Sequence, residues 1–210
     1  MGSHMSEAGG LSELSSNQAK LQAEADAIIG TLGLDRLLSS IGRPTRVGSS
    51  ALGLMVRRDI DVTVVCKKLD EDTHRAVVEL GGKLAMHASI GSVRFRNDAG
   101  VWNNSPEEYP DGLYLGVIYR DMAGEDWTFD IWFVDEPERQ PDLKHLRTIP
   151  SKLTTSARQS ILAIKTALAN GSCSGRRPSS FQVYEAVLEY GVTSLSEFEN
   201  WLKGPRQPEF

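Results

Sequence analysis

The stretch "RVGSSALGLMVRRDIDVTVVC", Arg46 to Cys66, sets the reading of this chain. A Gly48-Ser49-Ser50 turn follows Val47, and Asp59 and Asp61 then stand one residue apart at the mouth of a Val-rich run. The β-branched density of "DIDVTVVC" predicts a strand. Side chains alternate faces along a strand, so the two aspartates project together. Carboxylates that close repel, and in a half-buried setting one takes up a proton unless a cation sits between them. A divalent ion resolves the conflict, and hard oxygen donors suit Mg²⁺ or Mn²⁺, which keep waters and share substrate phosphates. Gly48 lets the backbone approach a phosphate closely. The short helix predicted over "SSALGLMV" points its free N–H groups the same way.

Upstream, "LSELSSNQAKLQAEADAIIGTLG" carries apolar residues at helical spacing, "LDRLLSSIG" is a second short helix stopped at Gly42, and Pro44 forces "PTRV" into an extended strand. Downstream, "DEDTHRAVVELGGKLAM" has acidic residues in its first turn and reads as a helix. "SIGSVRFRND" alternates as a half-exposed strand, and "GVWNNSPEEYPDG" is a turn-rich loop. "LYLGVIYRDM" and "DWTFDIWFVD" form a hairpin around "AGE". After Pro137 the pattern is helical: "TTSARQSILAIKTALANG", then a "SGRRPSS" linker, then "FQVYEAVLEYG" and "SLSEFENWLKG". The fold class is therefore α/β (α+β), with a C-terminal helical subdomain. Residues 1–10 are a tag remnant and flexible start that frays before the first helix, 11–136 the α/β core, and 137–210 the helical subdomain.

A third carboxylate is required if two ions are to be held. Asp130 in "DWTFDIWFV" interrupts an aromatic and aliphatic strand, where a charge is costly unless paired or metal-bound. Alternation turns Trp127, Phe129, Ile131 and Phe133 to one face and Thr128, Asp130 and Trp132 to the other. Asp121 and Asp126 lie in the same hairpin and compete for the role.

Gly48-Ser49, a nine-residue spacer and Asp59-Ile60-Asp61-Val62, with a later strand aspartate, resemble the signature of the nucleotidyltransferase superfamily of DNA-polymerase-β-like fold. The resemblance implies a mixed sheet with flanking helices. It implies that Gly48 and Ser49 contact the β- and γ-phosphates of an NTP, with Ser50 either assisting them or capping the helix. It further implies that Asp59, Asp61 and Asp130 hold the metals, that Asp130 helps deprotonate the attacking hydroxyl, and that an NMP passes to an acceptor with release of pyrophosphate. Arg58, beside Arg57, and Lys165 on a C-terminal helix are candidate triphosphate contacts; solvated arginines and a snorkelling lysine are their ordinary alternatives. The acceptor is a small antibiotic-like molecule, as in resistance enzymes, or a protein or tRNA, as in toxin–antitoxin systems, which would bring an antitoxin partner. "GSSAL" departs from the Gly-Gly-Thr-Ala-Leu form of one toxin branch. A non-catalytic nucleotide-binding module of the same fold and a metal-dependent nuclease are the competing functions.

The remaining features are bland. A net charge of −5 gives no general attraction to nucleic acid. Cys66 and Cys173 have no metal-binding spacing, and Cys66 is a small buried hydrophobe. No apolar run predicts a membrane span or signal peptide, which points to a cytoplasmic protein. His74, His87 and His145 show no ligand spacing, and "RFR" and "GRRP" are too short for nucleic-acid patches. The loop holding Trp102, Glu107, Glu108, Tyr109 and Asp111 is either a solvated connection or a receptor for a cationic acceptor.

Overall fold

The computed structural model describes residues 3–171 and 178–204, so Cys173 and the Arg176-Arg177 pair lie outside the described residues. Five strands form one sheet: β1 (Arg43–Val47), β2 (Asp59–Val65), β3 (Ile90–Asp98), β4 (Gly112–Arg120) and β5 (Asp126–Val134). Their spatial order is β1-β2-β5-β4-β3. Only the central β2–β5 pair is parallel, and the other three pairs are antiparallel. The sheet is thus mixed, as expected.

One face of the sheet is apolar. Ile60, Val62 and Val64 of β2, Leu113, Leu115 and Val117 of β4, and Trp127, Phe129, Ile131 and Phe133 of β5 are all buried. They pack with Ala25 and Ile28 of α1 (Ser3–Leu32), Leu34 and Leu38 of α2 (Leu34–Ser39), and Val77, Leu80 and Leu84 of α4 (Glu71–Ala85). Each fully buried side chain of this kind stabilises by about 1.5–3 kcal/mol relative to exposure. With every odd residue of β5 from 127 to 133 committed to this core, the even residues must face the other side. Asp130 is placed by that parity.

A second apolar cluster joins α3 (Gly48–Leu52) and the chain after it to the C-terminal helices. Leu52 and Leu54 pack with Ile161, Leu162 and Leu168 of α6 (Thr155–Ala169), Val183 and Tyr184 of α7 (Ser180–Tyr190), and Phe198 of α8 (Leu195–Lys203). Leu14 of α1 also packs against this cluster. These contacts fix α6 and α7 beside the Gly48 turn.

Two expectations change. Helix α1 runs from Ser3, through the polar start expected to fray, since no proline interrupts it. An additional helix, α5 (Pro141–Thr148), follows the sheet; Pro141 opens it, at a position where the missing N–H costs nothing. Leu143 and Leu146 stand at helical spacing, but the segment is short and otherwise polar, so the pattern is brief. No described helix is long and apolar enough to cross a membrane.

Candidate active site

β1 pairs antiparallel with β2 so that Val47 lies opposite Asp61. The chain then turns at Gly48 and brings its backbone against that carboxylate. Gly48 has φ +63°, and a Cβ built there would stand 2.1 Å from Asp61 Oδ2. Both the backbone angle and the approach require glycine.

On the other side of β2, the parallel register with β5 places Asp61 opposite Asp130 and Asp59 opposite Thr128. One carboxylate oxygen from each of Asp59, Asp61 and Asp130 lies within 4.8 Å of the others. Thr128 Oγ1 donates to Asp59 Oδ1 at 2.6 Å. Tyr114 donates its hydroxyl proton to Asp130. That phenol reaches across Gly116, which pairs with Asp130; a Cβ at residue 116 would meet Tyr114 Oη at 2.6 Å.

The charges are in conflict without a counterion. Burial, reinforced by Asp59, Asp142 and Asp130, pushes the Asp61 carboxyl up to about 8. Burial also raises Asp59, against the lowering pull of its Thr128 hydrogen bond. A hard divalent cation among these oxygens relieves both effects, and the donor set fits Mg²⁺ or Mn²⁺.

Lys165 supplies a nearby positive charge. It is buried, and its Nζ donates to the Leu54 carbonyl at 2.8 Å and to Tyr184 Oη at 3.1 Å. Burial lowers it to about 8, while Asp61 and Asp59 pull in the opposite direction. Lys165 lines a cleft with Ser49, Arg57, Asp59, Ser179 and Ser180. A second cavity, of about 170 Å³, includes Gly48, Asp61, Asp142, His145, Phe181 and Tyr184 on its walls. There His145 stacks on Phe181 with centroids 4.3 Å apart.

The sequence candidates therefore divide. Gly48, Ser49, Asp59, Asp61, Asp130 and Lys165 come together. Ser50 does not join them: it is buried, its hydroxyl donates to the Val47 carbonyl at 3.3 Å, and it accepts from Arg46 Nε at 3.0 Å. Arg58 turns to Glu125 at 3.3 Å, and its neighbour Arg57 lines the cleft instead. Asp121 is occupied in the hairpin turn, accepting from the Ala123 and Glu125 amides and from Trp127 Nε1. Asp126 forms a fork with Arg120. Asp130 alone of the three hairpin candidates reaches Asp59 and Asp61. Sequence reasoning missed Asp142, Ser180 and Tyr184, which lie on helices with no local motif. It also set aside His145, which lines the cavity beside Asp142.

No family profile and no curated protein matches the sequence. Solved structures do share the architecture. Cid1 poly(U) polymerase with MgGTP bound superimposes with a TM-score of 0.59 at 18% identity, over 90% of this chain and 56% of that one. A cytoplasmic RNA terminal U-transferase gives a TM-score of 0.53 at 16% identity, over 85% of this chain and 51% of that one. The GLD-2/RNP-8 complex gives 0.50 at 12% identity, over 85% and 61%. The chain thus spans a little over half the length of the structures it matches. These likenesses establish its architecture: this chain has the nucleotidyltransferase fold.

Proposed function

We propose that this protein is a divalent-metal-dependent nucleotidyltransferase that moves an NMP from an NTP to an acceptor hydroxyl. The observation that carries the reading is the juxtaposition of Asp59, Asp61 and Asp130 with the Gly48 turn on one side and Lys165 on another. Asp59, Asp61 and Asp130 would hold Mg²⁺ or Mn²⁺, which when bound stabilises charge on the attacking and leaving oxygens. Gly48 and Ser49 present backbone N–H groups to the β- and γ-phosphates. Lys165 and Arg57 offset their charge from the cleft wall. Asp130, oriented by Tyr114, faces the attacking hydroxyl and helps remove its proton.

The retention of all three carboxylates in bonding range favours catalysis over a nucleotide-binding module. The glycine turn packed against Asp61 favours a triphosphate substrate over nuclease chemistry. The named neighbours, a poly(U) polymerase and a terminal U-transferase, support NTP use.

Calorimetric titration with a non-hydrolysable NTP analogue tests the donor site. Binding should require Mg²⁺ or Mn²⁺ and should weaken by at least about tenfold in Asp59→Asn, the loss of one charge-assisted interaction. Metal-independent binding of equal strength in the variant would refute the assignment.

A further inference from the structure

Beyond Asp130 on the same sheet face lies a larger cavity, of about 380 Å³, with Arg96, Asp98, Asn104, Tyr109, Trp132 and Asp142 among its walls. We propose that this cavity is the acceptor subsite and that it takes a small polyhydroxylated ring bearing an amine. The inference rests on the nucleotidyltransferase reading and deepens it.

Position is the first argument. Trp132 stands two residues beyond Asp130 and shares its face of β5. Asp142 lines both this cavity and the one containing Gly48 and Asp61, so the two spaces adjoin at a single carboxylate. Lys165 lines neither of these two cavities.

Charge is the second argument. The Lys165 cleft carries two cations, Lys165 and Arg57, as an anionic donor requires. The larger cavity has one, Arg96, and it is already engaged. Its Nε donates to both Asp98 oxygens at 2.8 Å, and its guanidinium lies 4.7 Å and 5.2 Å from the Tyr114 and Trp132 ring centroids. Asp142 has weaker partners: Gln140 Nε2 at 3.3 Å and His145 at 4.0 Å. Arg94, the neighbouring cation of β3, is not among the lining residues. A phosphodiester placed here would meet Asp98 and Asp142 with no uncommitted cation on the walls. An ammonium meets Asp142 in a charge-assisted hydrogen bond.

Shape and surface complete the case. The volume is in the range of pockets for small molecules, roughly 300–1,000 Å³. Trp132 and Tyr109 offer flat apolar faces with polar edges to a ring. Asn104, Ser105 and Tyr109 offer neutral hydrogen-bonding groups to hydroxyls. In the reaction, one acceptor hydroxyl oxygen forms a bond to the α-phosphorus and the bond from that phosphorus to the bridging oxygen of the β-phosphate breaks. Pyrophosphate leaves with the electron pair, and the hydroxyl proton passes to a carboxylate of the site or to water.

The test offers the full chain, with Mg²⁺ and each NTP, a panel of aminocyclitols and amino sugars, matched polyols without amines, and a short single-stranded RNA. Products are read by mass spectrometry, and acceptor binding by calorimetry. Binding of the Mg²⁺–NTP analogue, measured in parallel, reports the donor site independently; its loss would refute the transferase reading itself. With donor binding intact, at least one amine-bearing polyol should bind and gain one NMP. Tyr109→Ala and Asp142→Asn should raise its KM by about tenfold or more; in Tyr109→Ala, whose side chain lines the larger cavity and not the one holding Gly48 and Asp61, KM for the NTP should change far less. Tyr109 is half exposed in a loop, so its truncation leaves the core intact. Extension of RNA with no reaction of the amine-bearing polyols overturns the inference. So does the failure of every such polyol to bind, or an unchanged acceptor KM in both variants.

Discussion

Asp61 rests against Gly48 so closely that no side chain fits between them: a Cβ at residue 48 would lie 2.1 Å from Asp61 Oδ2. The turn and the carboxylate are therefore one unit. Gly48→Ala must displace Asp61 or the turn, and it also places an L-residue at φ +63°. We expect a stability loss of about 1–3 kcal/mol from the backbone conformation alone. Activity should fall further than stability explains. Thermal unfolding with NTP turnover on the same sample checks this; a fully active, equally stable variant would show that the contact is dispensable.

Tyr114 touches Asp130 through its hydroxyl. Tyr114→Phe keeps the ring beneath Arg96 but removes the hydroxyl that Asp130 accepts from. Loss of such an outer hydrogen bond typically weakens metal binding by about 10–100-fold. A Mn²⁺ titration followed by electron paramagnetic resonance should show that shift with little change in unfolding temperature. Gly116→Ala should produce a similar metal defect, because the added methyl meets the Tyr114 hydroxyl.

The acidic cluster makes the metal-free protein sensitive to pH. Asp61 titrates at about 8 in the fold, against 3.8 for an unperturbed aspartate. Between those values the folded chain holds a proton that the unfolded chain has lost, so stability falls as pH rises through this window. Lys165 acts oppositely but in a higher window, between about 8 and 10.5. Unfolding temperatures of metal-free protein should therefore decline from mildly acidic pH toward about 8. Saturating Mg²⁺ should raise them most at the upper end, where the carboxylates are free to bind it. A profile that is flat and insensitive to Mg²⁺ would contradict the buried carboxylate cluster.

Lys165 is a buried cation held by two hydrogen bonds. Lys165→Met keeps its length and apolar stem but leaves the Leu54 carbonyl and Tyr184 hydroxyl without their shared partner. We expect KM for the NTP to rise about tenfold or more, the scale of a lost hydrogen bond to a charged group. Steady-state kinetics at saturating acceptor will measure it, and an unchanged KM would return Lys165 to a purely structural role.

Much of this arrangement was legible in the sequence because it depends on short-range rules. Strand alternation put Asp59 with Asp61 and turned Asp130 away from Trp127 and Phe129, and the five strands follow from β-branched runs and turn residues. Position in three dimensions was the missing part. Nothing in "ILAIKTAL" says that Lys165 will meet Leu54, because that contact depends on packing between α6 and the chain after α3. Asp142 likewise follows a proline in a polar segment, and only the docking of α5 beside Gly48 and Asp61 brings it to the cavity. Arg57 and Arg58 are adjacent and chemically identical, so the choice between them rested on backbone direction. Ser50 was balanced between two uses, phosphate contact or helix cap; in the fold it is buried and bonded to Arg46 and the Val47 carbonyl, a contact that depends on the chain before the turn.

The central claim, that the three aspartates serve NMP transfer, is tested most directly by α-labelled NTP turnover. Wild-type and Asp61→Asn protein, both shown to be folded, are incubated with each labelled NTP, Mg²⁺ and a cell extract containing small molecules, RNA and protein. We predict label covalently attached to an acceptor together with released pyrophosphate for the wild type, and a loss of about 10²–10³-fold or more in the variant. Equal transfer by Asp61→Asn, or NTP binding with no pyrophosphate from the wild type under any acceptor condition, would contradict it.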